Sequence, residues 1–228
     1  MGLYTLIKLY IRSALLLAAT VIVASDWLFD TAIAAYLLQI RIFGVISLVH
    51  VFWFLLMVEM LIVLVPKFNK FSYSGKHLLK HYISVPNIDL EKLVDFSRKN
   101  GVKALRSAVF WLLFNTPFAV LYFMGYANEV FFYWLFFFYY FFDVFSIQVF
   151  CIFHVFVTQN KCCNECRIFN WGHFMYCTPL LFTPNVWSYS LVLMSLVILI
   201  QWEIAVFRHP ERFSPVSNAS LQCSHCVH

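Results

Sequence analysis

Apolar blocks of membrane-helix length alternate with short polar turns along this chain. Residues 3 to 24 (LYTLIKLYIRSALLLAATVIVA) form the first apolar run, with Lys8 and Arg12 near its beginning and the acidic turn Asp26 to Asp30 after it. It reads as a first spanning helix or an uncleaved signal-anchor, with a cleaved signal peptide as the alternative. A second block runs from Thr31 to Val65, with Arg41 near its start and Pro66-Lys67 at its end, and its spanning core is expected over 42 to 65. A third span is expected over 108 to 126, where Asn115 and Pro117 predict a kink whose freed backbone groups neighbouring helices must satisfy. The turn Ala127-Asn128-Glu129 leads into a fourth, Val130 to Thr158, whose aromatic opening (FFYWLFFFYYFF) is explained by packing and by the interfacial belt.

The long polar stretch, 67 to 106, carries nine Lys and Arg residues and is therefore expected on the cytoplasmic side. Within it, Asn87 to Glu91 supplies capping side chains, and Leu90, Leu93 and Val94 recur at helical spacing, which predicts a short amphipathic helix with Gly101 as its stop. His77 and His81 stand four apart, a spacing that suits a metal but equally a solvated basic face.

The final apolar block decides the topology. Lys161 and Arg167 precede it and Arg208 and Arg212 follow it, so charge bias puts both flanks, 159–168 and 208–228, in the cytoplasm. An even number of crossings must lie between them. Phe169 to Phe182, broken by Pro179, reads as a short or re-entrant arm; Thr183-Pro184-Asn185 turns the chain; Val186 to Phe207 is a full span. A five-span arrangement with the tail outside is the alternative. The fold class expected is all-α: a polytopic helical membrane bundle of about six membrane segments forming a single domain over 1–228, with both termini cytoplasmic.

Composition sharpens this. Hydrophobic side chains make up 62% and charged ones 12% of the 228 residues, against about a quarter charged in soluble domains, and the mean hydropathy is +0.78. The lipid bilayer is the expected partner, with a homo-oligomer or a small hydrophobic or ionic ligand as further partners. The net charge of +5 belongs to loops that set orientation, and nucleic acid is not expected to bind.

Coordination chemistry is concentrated in Cys163-Asn164-Glu165-Cys166 and Cys223-Ser224-His225-Cys226, two C-x-x-C pairs flanking the final block. Each such knuckle turns two sulfurs toward one ion, and two knuckles make the common closed zinc set. The 56 intervening residues exceed zinc-finger spacing, but a hairpin brings its own ends together. Cytoplasmic thiols stay reduced, which disfavours a disulfide. Cys162, His173, His225 and His228 are candidate extra or substitute ligands, whereas Cys151 and Cys177 sit in apolar runs as packing residues. Zinc is the cofactor expected, an iron-sulfur cluster the alternative.

Ionisable groups inside apolar blocks form a second candidate site, because hydrocarbon disfavours them. These are His50, Glu59, Asp143, His154 and Glu203. Glu59, His154 and Glu203 together would suit a proton relay or a hard cation, and His50 with His154 could serve as axial ligands of a haem. The plainer reading has Glu203 reaching toward Arg208 and His154 bonding a neighbouring helix.

The segments KCCxxCRIFNW at 161–171, FTP at 182–184, Trp202-Glu203, RHPERF at 208–213 and LxCxxC at 221–226 resemble a family of bacterial polytopic membrane proteins. The resemblance covers mainly the last seventy residues and implies a bacterial cytoplasmic membrane, but no activity. It also implies further cysteines beyond the second knuckle, which draws attention to His225 and His228. The function expected is an integral membrane protein with a cytoplasmic four-cysteine metal site, of transporter or channel type. The alternative is a membrane redox component in which the aromatic fourth span flanks a quinone-like or other flat partner. No G-x-S-x-G, Walker-type loop or H-E-x-x-H signature marks an enzyme. The sequon Asn218-Ala219-Ser220 is expected to go unused.

Overall fold

The computed structural model describes residues 3–29, 33, 41–42, 46–65, 82–160 and 166–222. The chain folds as an all-helical bundle, with a single local pairing of two-residue strands, β1 (Arg41–Ile42) and β2 (Ile46–Ser47), among the described residues. The helices are α1 (Leu3–Phe29), α2 (Leu48–Leu64), α3 (Leu90–Phe123), α4 (Glu129–Gln148), α5 (Gly172–Cys177) and α6 (Val186–Arg208). Of these α1, α3, α4 and α6 are long and apolar enough to cross a membrane, and α2 is a shorter apolar helix. This is a membrane protein. On α1, Tyr10, Leu17, Val21, Trp27 and Phe29 are exposed, as suits a face turned to lipid.

Helix starts follow their caps. Asp89, Asn128 and Asn185 each accept a hydrogen bond from the backbone N–H three residues on, satisfying one of the donors a helix start leaves over.

Three expected boundaries move. The second spanning core, expected from 42, begins as a helix at Leu48, after the strand pair. The helix expected to stop at Gly101 instead runs unbroken through it and through Pro117, giving α3 34 residues and a length of about 51 Å. Gly101 is used for proximity: a Cβ there would lie 3.3 Å from the Arg167 guanidinium. The fourth span, expected to reach Thr158, ends as α4 at Gln148 and resumes as a π-helix, Phe153–Thr158.

Contacts between helices fix their directions. Gln148, Asp143 and Trp134 of α4 bond Thr5, Arg12 and Thr20 of α1, so these two run antiparallel. Trp53 bonds Ser190 and Leu64 accepts from Gln201, both 137 positions apart, so α2 and α6 run parallel. Phe52 against Phe137 and Glu59 against Tyr140 make α2 parallel to α4. Trp111 against Tyr139 and Phe118 against Phe131 make α3 antiparallel to α4.

The final excursion is the expected hairpin. A short arm runs through a 3-10 turn (Phe169–Trp171), α5 and a second 3-10 turn (Thr178–Phe182), and α6 returns alongside it. The arm lies on α4, with Phe182 on Phe132 at 4.7 Å and Tyr176 on Tyr140 at 5.2 Å. Tyr176 of the arm shares the core with the fully buried Phe132, Leu56, Met60 and Ile198.

The starts of α1 and α3 and the ends of α2, α4 and α6 therefore share one end of the bundle. There Ile83 to Val85 pairs with Ser217 to Ala219 through Val85 N–H to Ser217 O (3.1 Å) and Ala219 N–H to Ile83 O (2.8 Å).

Candidate functional site

Lys8 and Arg12 stand one turn apart on α1 and so share a face, which α2 and α4 cover. Arg12 is only 3% exposed. Its Nη1 donates to Asp143 Oδ2 (2.7 Å) and to the Tyr140 carbonyl (2.7 Å), and its Nη2 to Glu59 Oε1 (3.1 Å). Lys8 Nζ meets the same Glu59 oxygen at 2.7 Å, and the Tyr140 hydroxyl donates to the other at 3.0 Å. The guanidinium lies 3.7 Å above the Tyr140 ring, a cation–π contact strengthened where water is excluded. Two cations and two carboxylates balance. Without that balance a buried charge would carry a penalty of several kcal/mol, on the order of that given for unpaired ions.

Asp143 is also pressed against α5. A Cβ on Gly172 would fall 2.1 Å from Asp143 Oδ1, so only glycine lets the arm approach the carboxylate. His173, next along, lies within electrostatic reach of Asp143 and Glu59, and its Nδ1 has no hydrogen-bond partner among the described residues.

A second cluster closes the base of the final hairpin. Arg167 pairs with Glu203 of α6, Trp171 Nε1 donates to the other Glu203 oxygen at 2.9 Å, and Trp202 Nε1 donates to the Arg167 carbonyl at 2.6 Å. Trp202 packs edge-on against Phe213 with ring centroids 5.0 Å apart. Arg167, not Arg208, is thus the partner of Glu203.

The ionisable residues singled out above therefore separate into different surroundings. Glu59 and Asp143 meet on Arg12; Glu203 belongs to the hairpin base; His154 has neither as a described hydrogen-bond partner, and its Nε2 has no partner among the described residues. His50 sits at the start of α2, edge-on to Trp187 at 4.4 Å, while His154 lies beyond the end of α4, so the two imidazoles occupy opposite ends of the bundle and do not flank a haem. Lys8 and Arg12, read from sequence only as flanking charges, hold the network together. The available signal was two bases one turn apart in an apolar run, matched by two carboxylates in other apolar runs.

Of the cysteine site, Cys166 is buried against Ala104 and Ile168. Cys162, Cys163, Cys223, Cys226, His225 and His228 lie outside the described residues, as do His77 and His81. Among the described residues no three His, Cys, Asp or Glu side chains are grouped as a metal requires. Cys177 is buried in the core, and the Cys151 sulfur accepts the His154 N–H at 3.4 Å. Asn218 is fully buried: its Oδ1 accepts from Ser220, and its Nδ2 donates to the Arg212 carbonyl.

Between α3, α4 and the short arm lies a cavity of about 260 Å³, walled chiefly by aromatic rings. Comparisons of the chain with protein-family models, curated proteins and solved structures found no match.

Proposed function

We propose that this integral membrane protein is clamped at the open end of its final hairpin by a metal ion, zinc by preference, held by Cys163, Cys166, Cys223 and Cys226. The observation that carries the reading is the seam at the hairpin base. Trp202 and Glu203 bind Arg167 and Trp171 directly, so the residue following Cys166 is fastened to the helix that leads to the second knuckle. Gln222, which precedes Cys223, is held on the same terminal segment by its bond to Pro215 O at 3.0 Å. Cys166 itself is buried, where a thiolate gains from an ion's charge. Four thiolates make a closed tetrahedral site that contributes stability and no open coordination position.

Charge distribution supports a cytoplasmic placement of that end. Lys92, Arg98, Lys99, Lys103, Arg106, Arg167, Arg208 and Arg212 lie toward it, whereas Asp26 and Glu129 lie at the other. Cytoplasmic reduction keeps the thiols available. The resemblance of the final segment to a bacterial membrane family accords with a bacterial cytoplasmic membrane.

Elemental analysis of the purified chain tests the clamp. It should show about one zinc per chain, as one closed site requires, lost from Cys163→Ser and from Cys223→Ser alike. Loss from one variant alone would mean that the knuckles do not share an ion. Iron with acid-labile sulfide and visible colour would replace this reading with the redox component.

A further inference from the structure

The first half of α3 carries an apolar stripe that stands largely exposed. Leu90, Val94, Val102 and Leu105 recur at spacings that keep them on one helix face, and they are 47% to 71% exposed. The face that packs against the protein is the opposite one, with Leu93, Asn100, Ala104 and Ser107. An apolar stripe of this kind marks an interaction surface. Its continuation identifies the partner: Val109, Leu112 and Phe123 extend the same face through the membrane-crossing part of α3 and are also exposed. The surface that meets acyl chains in the span therefore runs on to the start of the helix.

Length agrees with this. At about 51 Å, α3 exceeds the hydrocarbon layer, about 30 Å thick, and also the layer with headgroups, about 40–45 Å. Tilted by about 35°, within the range of membrane helices, it covers about 42 Å and fits inside the full thickness. Its first half then lies in the headgroup layer. Charge selects among headgroups. Lys92, Arg98, Lys99, Lys103 and Arg106 outnumber Asp89, Glu91 and Asp95 on this half. The Lys92, Arg98 and Lys99 side chains stay mostly exposed while paired with Asp89 or Asp95. Arg106 is exposed and makes no ion pair among the described residues. Arg98 falls between Val94 and Val102, and Arg106 follows Leu105, so their stems can lie along the stripe while the guanidinium groups reach phosphate. The last turn of α3 holds no basic residue.

We propose that the first half of α3 lies in the headgroup layer and binds anionic phospholipid, with its apolar stripe against the upper acyl chains and Arg98, Lys99 and Arg106 on the phosphates. Basic side chains beside an anionic surface attract it, and the exposed stripe gives the contact its apolar area. This surface is separate from the cysteine clamp and stands on different observations.

The test uses the full chain with p-benzoylphenylalanine in place of Val94, reconstituted into vesicles of equal parts phosphatidylglycerol and phosphatidylcholine and irradiated. The benzophenone joins to C–H bonds of whatever lies against it, and the mass of the adduct identifies that neighbour. Lipid adducts should predominate, with phosphatidylglycerol ahead of phosphatidylcholine by about fivefold, the preference expected of one basic side chain near an anionic surface. Combining Arg98→Gln, Lys99→Gln and Arg106→Gln should bring that ratio to about one while lipid adducts persist, and raised salt should lower it in the unaltered chain. The same probe in place of Leu112 should label lipid and shows that the chain is inserted. If position 112 labels lipid but position 94 labels protein or nothing, the stripe faces protein or water and the site is overturned. Equal adducts from both lipids before any basic residue is changed would overturn the anionic assignment.

Discussion

The two ionic clusters of this protein use the same side-chain chemistry in opposite settings. The Arg12 network draws its members from α1, α2 and α4 and buries the guanidinium almost completely. The Arg167–Glu203 pair joins the two ends of one hairpin and keeps side-chain exposures of 23% and 33%. Water still reaches the second, so its charges can be resolvated if a partner is lost. In the first the Arg12 guanidinium, at 4% side-chain exposure, cannot. One cluster therefore specifies how separate helices assemble, and the other fastens a hairpin that the turn at 183–185 already forms.

The sharpest way to break this contrast is Arg12→Met. It strands Asp143 and leaves Glu59 with Lys8 as its remaining cation, and the loss should be about 3–5 kcal/mol, typical of breaking one side of a buried ionic set. Denaturant titration in detergent measures it. Adding Glu59→Gln and Asp143→Asn to Arg12→Met should recover most of the loss, because no buried charge is then unpaired and Lys8, at 30% side-chain exposure, can turn to solvent. If the triple variant is no better than the single, ionic balance is not what the network supplies.

Gly172→Ala should come next, at about 1–3 kcal/mol for overpacking, since the new methyl would sit 2.1 Å from Asp143 Oδ1. A double-mutant cycle with Asp143→Ser should show strong coupling; additive effects would place the strain elsewhere. Glu203→Gln should cost under about 1 kcal/mol, as half-exposed pairs do, since the amide oxygen can still accept from Trp171. A loss as large as that of Arg12→Met would erase the distinction between the clusters.

The smallest effect concerns the start of α3. The Lys92 backbone N–H, with the Lys92 ammonium, holds the Asp89 carboxyl below its usual value. A carboxyl lowered on folding contributes above its unfolded value near about 4 and loses that contribution as pH falls through the lowered value. The protection of amides in the first turn of α3, measured against their intrinsic exchange rates, should therefore fall on acidification below about pH 4. Asp89→Asn keeps a capping acceptor and should remove this pH dependence.

Much of the architecture was legible because it is written locally. The capping residues Asn128 and Asn185 mark real helix starts, and Pro179 with Thr183-Pro184-Asn185 announces the short arm and its turn. Gly101 misled because a helical glycine is read as a stop, whereas here it makes room for Arg167 from another segment. The partners of Glu59 and Asp143 were hidden for the same reason: pairing them with Arg12 requires the register of α1 against two distant helices, which no single stretch encodes. His154 shows the converse, an imidazole in an apolar block whose Nε2 has no partner among the described residues.

If Cys163 and Cys226 share an ion, both must lie at one end of the bundle. Chains in which Cys163 or Cys226 is the sole remaining cysteine, in sealed vesicles of known orientation, can be labelled with an impermeant maleimide from either side. Both should react from the same face. Reaction from opposite faces would contradict the hairpin and leave no way for the two knuckles to share an ion.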